Sequence, residues 1–192
     1  MPPALPHDAL VREHHMENDV PADRHRALHL LLTESFPYTA EQFVHGRSWV
    51  GARPERRVTA WRGDRPVAHV GILRRFLRIG SRDQLVGEVG LVAVARGLQG
   101  TGVGRLLAEH VRERLTRLGV PFCYLNCQSS VLGYYQSVGR LRLEATATRH
   151  FEADDELTAV TTSAHPMILP VTARGRADWP AGPLIERDGT EL

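Results

Sequence analysis

The residues with the clearest chemical meaning form a glycine-rich turn that separates an apolar segment from an amphipathic one, over residues 92–104. A helix that begins after such a turn directs backbone N–H groups and the positive end of its dipole at one point, which suits a phosphate. A P-loop is excluded because no Gly-Lys-Ser/Thr string follows. A dinucleotide fingerprint is excluded because Arg105 stands where its third glycine belongs. The remaining pattern is Gln-x-x-Gly-x-Gly, formed by Gln99, Gly102 and Gly104.

This pattern resembles the acyl-coenzyme A pyrophosphate loop of the GCN5-related N-acetyltransferase (GNAT) superfamily. The resemblance implies an α/β fold with a mixed, mostly antiparallel central sheet that is flanked by helices and splayed at the acyl-coenzyme A site. It also implies acetyl-coenzyme A (acetyl-CoA) as co-substrate, and we expect no metal. The cofactor-binding residues that it indicates are Val92 and Val94 through their backbone, and the loop residues Gln99, Gly100, Thr101, Gly102, Val103 and Gly104. From its position at the end of its strand, Asn126 is a further candidate, for binding the pantetheine arm. For Asn126, a structural role at the end of its strand is an equal alternative.

Acyl transfer to an amine needs a base for the ammonium proton and benefits from an acid for the departing thiolate. Glu88 lies in an otherwise apolar segment, where a carboxylate is costly unless it is paired or solvated. It is our candidate base, directly or through a water, and a structural salt bridge to an arginine is the alternative. Tyr135 lies in a segment that resembles the superfamily segment whose tyrosine protonates the departing thiolate. The position of Gly139 aligns that tyrosine with Tyr135. It is the candidate acid, and an ordinary core tyrosine is the alternative.

Much of the chain resembles two narrower groups, the rhizobial nodulation N-acyltransferases and the aminoglycoside 2′-N-acetyltransferases, including those that act on kasugamycin. The first resemblance covers residues 48–104 and the segment from Trp179 onward, and the second covers the strand around His69, the glycine loop and Tyr135. Both groups accept an amine on a sugar. Nodulation enzymes lack the last loop glycine and the tyrosine, whereas this chain has both. These departures favour acetyl-CoA over an acyl carrier protein and predict acetylation of an aminoglycoside-type antibiotic, with kasugamycin as the candidate acceptor. Fatty acylation of a chitooligosaccharide amine and a non-catalytic CoA-binding module are the alternatives.

The candidate acceptor-binding residues are Glu41, His69, Asp178 and Trp179. Trp179 has the shape to stack on a sugar face, or else it closes the core as a hydrophobic plug. Asp178 and Glu41 offer carboxylates to acceptor ammonium groups. A lone histidine in a strand, as His69 is, is more often a satisfied core residue than a base or a substrate contact.

The bulk properties set broad limits. A chain of 192 residues with 42% hydrophobic residues fits one domain, 1–192, with a substantial core. A formal charge of +2 gives no argument for nucleic acid. We see neither a membrane span nor a secretory signal. We therefore expect a cytoplasmic enzyme with a small-molecule amino-sugar acceptor, no nucleic-acid or membrane partner, and a homodimer by analogy with the superfamily.

Hydrophobic periodicity predicts the elements that position these residues. The predicted helices are 23–34, a short one capped by Thr39, 103–118, and a short one after Ser130 that ends at Gly139. The predicted strands are 57–61, 66–76, 84–94, 122–127, 142–151 and 159–169, followed by a loop through 179–182. Residues 77–79 either continue the strand 66–76 or form a further strand after a bulge. Residues before about 20 form a loose arm or an early strand.

Overall fold

The computed structural model describes residues 10–143, 147–152, 158–163, 165–173 and 175–192. The helices are α1 (Ala22–Ser35), α2 (Val103–Arg117) and α3 (Leu132–Ser137). The strands are β1 (Val11–Met16), β2 (Arg56–Arg62), β3 (Arg65–Ile79), β4 (Arg82–Val94), β5 (Phe122–Cys127), β6 (Leu141–Arg142), β7 (Ala147–Phe151), β8 (Ala159–Thr162), β9 (His165–Pro170) and β10 (Leu184–Thr190). Within these residues, no helix is both long and apolar enough to cross a bilayer.

The strands of the described residues form one mixed sheet. Its order is β6-β9-β5-β4-β3-β10-β7-β8, and β2 and β1 continue from β3 along a separate edge. Strand β4 pairs in parallel with β5, and β10 pairs in parallel with β7; the other pairs are antiparallel. This architecture confirms the predicted mixed, mostly antiparallel sheet flanked by helices.

The apolar stripe of α2 packs on one face of the sheet. Leu107, Val111 and Leu115 are buried there with strand residues such as Val89 and Leu125. A Cβ at Gly87 would lie 2.3 Å from Leu115 Cδ2, so this glycine permits the close approach of α2 to β4. Helix α1 covers part of the opposite face, where Leu31 and Leu32 pack against Ala93 of β4. The loop that joins β4 to α2 is therefore anchored on both sides.

Of the two alternatives for 77–79, the structure shows continuation, since Leu77 and Ile79 stay paired with β4 within the single strand β3. Other predicted boundaries were wrong. Residues 37–42 form a 3-10 turn that begins at Pro37, without a side-chain cap from Thr39. The predicted strand 142–151 crosses residues 144–146, which lie outside the described residues. Strand β10 was not predicted, because charged residues interrupt its apolar pattern.

Candidate active site

Strands β4 and β5 part beside the carboxylate of Glu88. They pair over Val86–Phe122, Gly87–Cys123 and Glu88–Tyr124. Beyond this point β5 continues along β9. The separation opens a cleft of about 720 Å³ that is lined by residues of both strands, of the segment 34–43 and of the segment 190–192. Val92, whose backbone the sequence predicts to bind the donor, is among the residues that line this cleft.

A β-bulge in β4 accompanies the separation. His69 pairs with Ala93 and Gly71 with Gly90, so two residues of β4 lie opposite a single residue of β3 between these pairs. Leu91 lies in the bulge with φ of 53°, a left-handed conformation that is uncommon for a leucine. The bulge therefore alters the direction of the strand directly before the glycine loop.

Glu88 is held by two arginines. Its side chain is 4% exposed; Oε2 accepts a hydrogen bond from Arg75 Nη1 at 2.8 Å, and Oε1 lies 2.9 Å from Arg187 Nε. Burial by itself lowers the pKa of Arg187, but the negative charges of Glu88 and Glu191 outweigh it and raise that pKa. The salt bridge considered as the alternative for Glu88 is thus present. Since each carboxylate oxygen has two lone pairs, this pairing leaves acceptor capacity for a water.

A second carboxylate, Glu191, lies in the same cleft. Its Oε1 accepts hydrogen bonds from Asn126 Nδ2 at 2.7 Å and from Arg187 Nη1 at 2.8 Å, yet its side chain is 41% exposed. Asn126 Oδ1 accepts from the hydroxyl of Tyr124 at 2.9 Å. The Asn126 amide is therefore engaged by protein groups on both its atoms.

Tyr135 also lines the cleft, from α3. It is buried, and burial raises the pKa of its phenol, while the nearby positive charge of Arg140 opposes this rise in pKa. The guanidinium carbon of Arg140 lies 5.5 Å from the centre of the Tyr135 ring. The phenol thus remains protonated at neutral pH, as a proton donor must.

The glycine loop leads into α2 with two residues in left-handed conformations, Gly100 at φ 76° and Gly102 at φ 94°. Gly102 is the N-cap of α2, and the first N–H groups of a helix have no acceptor within it. The side chains of Gln99 and Thr101 turn back onto the loop: Gln99 Nε2 donates to Val94 O at 3.1 Å and Thr101 Oγ1 to Leu98 O at 2.6 Å. The backbone, rather than these side chains, is left for a ligand.

Gly104 has a packing role as well. A Cβ at this position would lie 2.9 Å from the hydroxyl oxygen of Tyr134. Val92, Val94, Gly104 and Tyr135 surround a small apolar space between β4, α2 and α3. Val103 is buried in the core below it. The last loop glycine thus lets α2 approach α3.

The predicted acceptor-binding residues are not brought together. Glu41 is exposed in the 3-10 turn whose Thr39 and Gln42 line the cleft. Trp179 stacks on Tyr124, with ring centres 6.2 Å apart, and packs edge-on against Phe122. Asp178 is exposed and accepts a hydrogen bond from Gly175 N at 2.7 Å. Neither Asp178 nor Trp179 is among the described residues that line the cleft.

His69 is fully buried in β3, and protein groups occupy both of its ring nitrogens. Nδ1 lies 2.7 Å from Leu91 O, and Nε2 lies 2.9 Å from Arg57 Nη1. Burial and the positive charge of Arg57 lower the pKa of His69 to about 3. These contacts leave no ring nitrogen for a substrate.

Sequence reasoning missed Glu191, which lines the cleft, and Arg187, which pairs with both Glu88 and Glu191. Both belong to the segment around β10, for which the sequence analysis predicts no element beyond the loop 179–182. The available signal was slight, because the apolar pair Leu184–Ile185 precedes three consecutive charged residues, Glu186, Arg187 and Asp188. Only the structure shows that Ile185 and Arg187 share the buried face of the strand. Arg96, beside the glycine loop, also lines the cleft and was not singled out.

The fold is that of the GCN5-related N-acyltransferases. The structure of an acyl-CoA N-acyltransferase from Pseudomonas aeruginosa superposes with a TM-score of 0.57 at 22% identity and covers 83% of this chain and 98% of that one. At this identity the likeness shows the fold alone. Within the described residues, no group of three or more His, Cys, Asp or Glu side chains is arranged to hold a metal ion.

The chain belongs to the nodulation protein A (NodA) family, whose profile matches residues 10–192. Nodulation protein A of Rhizobium tropici is 36% identical over 165 residues, which is 81% of this chain and 82% of that protein. Nodulation protein A of Rhizobium leguminosarum bv. viciae is 33% identical over 192 residues, which is 92% of this chain and 94% of that protein. Family and fold together identify an enzyme of the N-acyltransferase class and confirm the predicted resemblance to both the superfamily and the nodulation enzymes. The comparisons do not support the predicted resemblance to aminoglycoside acetyltransferases.

Proposed function

We propose that this enzyme transfers a fatty acyl group from a pantetheine thioester to the free amine of a chitin-type amino sugar. The observation that carries the proposal is the cleft between β4 and β5, which holds a buried carboxylate, Glu88, and a buried phenol, Tyr135. Membership in the NodA family over residues 10–192 favours this acceptor over an aminoglycoside. Of the two activities that the sequence predicts, the nodulation type is therefore the better supported.

In the proposed reaction, the amine nitrogen attacks the thioester carbonyl carbon, so that a C–N bond forms and the C–S bond breaks. Glu88 receives the ammonium proton through a water, because its own oxygens are held by Arg75 and Arg187. Tyr135 gives a proton to the departing thiolate, and its phenolate recovers one from the attacking nitrogen, which loses its second proton as the amide forms. Burial raises the pKa of this phenol, so it enters the reaction protonated.

Glu191 is our candidate for holding the acceptor ammonium before it is deprotonated. It is the more exposed of the two carboxylates, and Asn126 and Arg187 fix its side chain. The two carboxylates thereby take different tasks, since Glu191 binds charge at the mouth of the cleft and Glu88 removes the proton further in.

The donor is proposed to bind as acyl-CoA, with its pyrophosphate at the N-terminus of α2. The left-handed Gly100 and Gly102, the free N–H groups of the first turn and the helix dipole support this binding mode. Gly104 and Tyr135 support a CoA thioester over an acyl carrier protein, since both depart from the nodulation pattern. The same two residues favour the second candidate function, acetyl transfer from acetyl-CoA to an aminoglycoside.

The test combines three donors with two acceptors. Acetyl-CoA, palmitoyl-CoA and a palmitoyl-acyl carrier protein are each offered with a partly de-N-acetylated chitooligosaccharide or with kasugamycin, and release of free thiol is measured. Preferential turnover of a long-chain donor with the oligosaccharide supports the proposal. Turnover confined to acetyl-CoA and kasugamycin overturns it in favour of the second candidate.

Two variants test for catalysis as opposed to mere CoA binding. Tyr135→Phe and Glu88→Gln are each expected to lower kcat by about 10²–10⁴-fold, while CoA still binds when measured by calorimetry. Unchanged turnover in both variants would remove these groups from the mechanism. Absence of turnover in the wild type, with CoA binding intact, would support a non-catalytic binding module.

A further inference from the structure

Three polar side chains that the proposed reaction does not use form a buried chain beside β4. Glu17, Arg57 and His69 are 4%, 0% and 0% exposed. Arg57 binds Glu17 through two nitrogens, with Nη2 to Oε1 at 3.0 Å, and its Nη1 donates to His69 Nε2 at 2.9 Å. A buried ion pair is costly to desolvate, so its presence in the core calls for a structural or functional reason.

This series of hydrogen-bonded side chains ends at the β4 bulge. His69 Nδ1 lies 2.7 Å from the carbonyl oxygen of Leu91, the residue with φ of 53°. A carbonyl only accepts and a guanidinium only donates, so the partners fix the neutral imidazole with its proton on Nδ1. The Leu91 peptide is thereby tied, through His69 and Arg57, to the carboxylate of Glu17 in the segment that follows β1.

The bulge decides which side chains of β4 face the donor. Before it, Gly87 and Val89 face α2; after it, Val92 and Val94 face α2, while Leu91 packs with the α1 cluster. Regular alternation would instead have put Leu91 on the α2 side. The bulge thus sets the orientation of the peptide groups between Glu88 and the glycine loop.

We propose that Glu17, Arg57 and His69 act together as a positioning device, in which His69 holds the Leu91 bulge in the shape that receives the acyl-pantetheine arm. His69 is then a positioning residue that acts through Leu91 and never touches substrate. The inference rests on the proposed function only in that the bulged part of β4 receives the donor.

The test compares two replacements of His69. Asparagine places a side-chain N–H as many bonds from Cβ as Nδ1, so His69→Asn keeps a donor for Leu91 O, whereas His69→Leu has none. In His69→Leu, Arg57 still has Glu17 and the Ser48 carbonyl, 3.1 Å from Nη1, as partners. Thr59→Val is the matched control, because Thr59 is equally buried on the neighbouring strand and accepts a hydrogen bond from Trp61 Nε1 at 2.8 Å.

Kinetics are measured per folded molecule, with the donor and the acceptor varied separately. His69→Leu is expected to lower kcat by about tenfold, the equivalent of one lost hydrogen bond, with His69→Asn within about threefold of the wild type. KM for the acceptor is expected to stay unchanged in both. Thr59→Val is expected to lower the melting temperature but to keep kcat.

Hydrogen exchange gives a readout that does not depend on activity. Faster exchange of the amides of residues 91–94 in His69→Leu, but not in His69→Asn or Thr59→Val, supports the inference. Equal kcat per folded molecule in all variants, or exchange that rises uniformly over the sheet, overturns it. If the wild type transfers no acyl group, the proposed function fails, and the exchange result still decides whether His69 holds the bulge.

Discussion

Replacement of Gly90 by alanine should displace residues 190–192 from the cleft. A Cβ on Gly90 would lie 2.2 Å from the backbone oxygen of Leu192 and 2.8 Å from its carbonyl carbon. Both distances are far below a carbon–oxygen or carbon–carbon contact, so the backbone of Leu192 must move by about 1 Å to restore ordinary contact distances.

The cost follows from the bonds that hold this segment. Glu191 accepts at its carbonyl from Ala52 N at 2.8 Å and at its carboxylate from Asn126 and Arg187 at 2.7 and 2.8 Å. Hydrogen bonds contribute about 0.5–1.5 kcal/mol when neutral and about 1.5–3 kcal/mol when charged. Partial loss of these three should lower the free energy of unfolding by about 2–4 kcal/mol, which is roughly 5–15 °C in Tm for a chain of this size.

The assay is thermal unfolding followed by circular dichroism, together with kcat/KM for the acceptor at a temperature where both proteins are folded. We expect the lower Tm and a lower kcat/KM, because Glu191 leaves its place beside Asn126. Gly133→Ala is the matched control, since no atom lies within 4 Å of a Cβ built on that exposed glycine. Since Gly133 lies in α3, where alanine is favoured over glycine, this control should keep or slightly raise the Tm. If Gly90→Ala does not lower the Tm, residues 190–192 do not lie against β4 and the reasoning is refuted.

Three further predictions concern other parts of the site. Gly104→Ala should weaken CoA binding by about tenfold, because its Cβ would meet the Tyr134 hydroxyl at 2.9 Å; equal affinity by calorimetry would contradict this. Unfolded His69 takes up a proton below pH 6.5 and the folded form only near its pKa of about 3. The free energy of unfolding should therefore fall as the pH drops between these values, by up to about 1.4 kcal/mol per pH unit. In His69→Asn, the free energy of unfolding from urea titrations at several pH values should depend less steeply on pH. Trp179→Ala should cost about 3–5 kcal/mol of stability through its lost packing on Tyr124 and Phe122, and a change confined to acceptor KM would point to a sugar platform instead.

The sequence predicts those parts of the molecule whose signal is local. The apolar stripe of α2 and the continuous apolar run of β5 were placed correctly because each pattern is contained in one segment. Glu88 was singled out from its apolar neighbours and Tyr135 from the resemblance of its segment. Both line the cleft, and their catalytic roles stay predictions.

The remaining features depend on contacts between distant segments. Glu17 meets Arg57, which is 40 residues away, only because β1 pairs with β2. Arg187 reaches Glu88 only because β10 inserts beside β3. Neither residue carries a local sign of its partner, so a single sequence gives no means of predicting these ion pairs.

The position of β10 has a consequence for how the enzyme is made. In the described sheet, β7 and β8 join the other strands through β10, although β10 follows them in the chain. During synthesis the paired strands β7 and β8 therefore have no docking site, and the edge of β3 stays unpaired until residues 184–190 have left the ribosome. Exposed strand edges at this stage favour pairing with other chains. Assembly of the Glu88 ion cluster is thus a late event in folding, and the enzyme acquires its active site only after most of its core has formed.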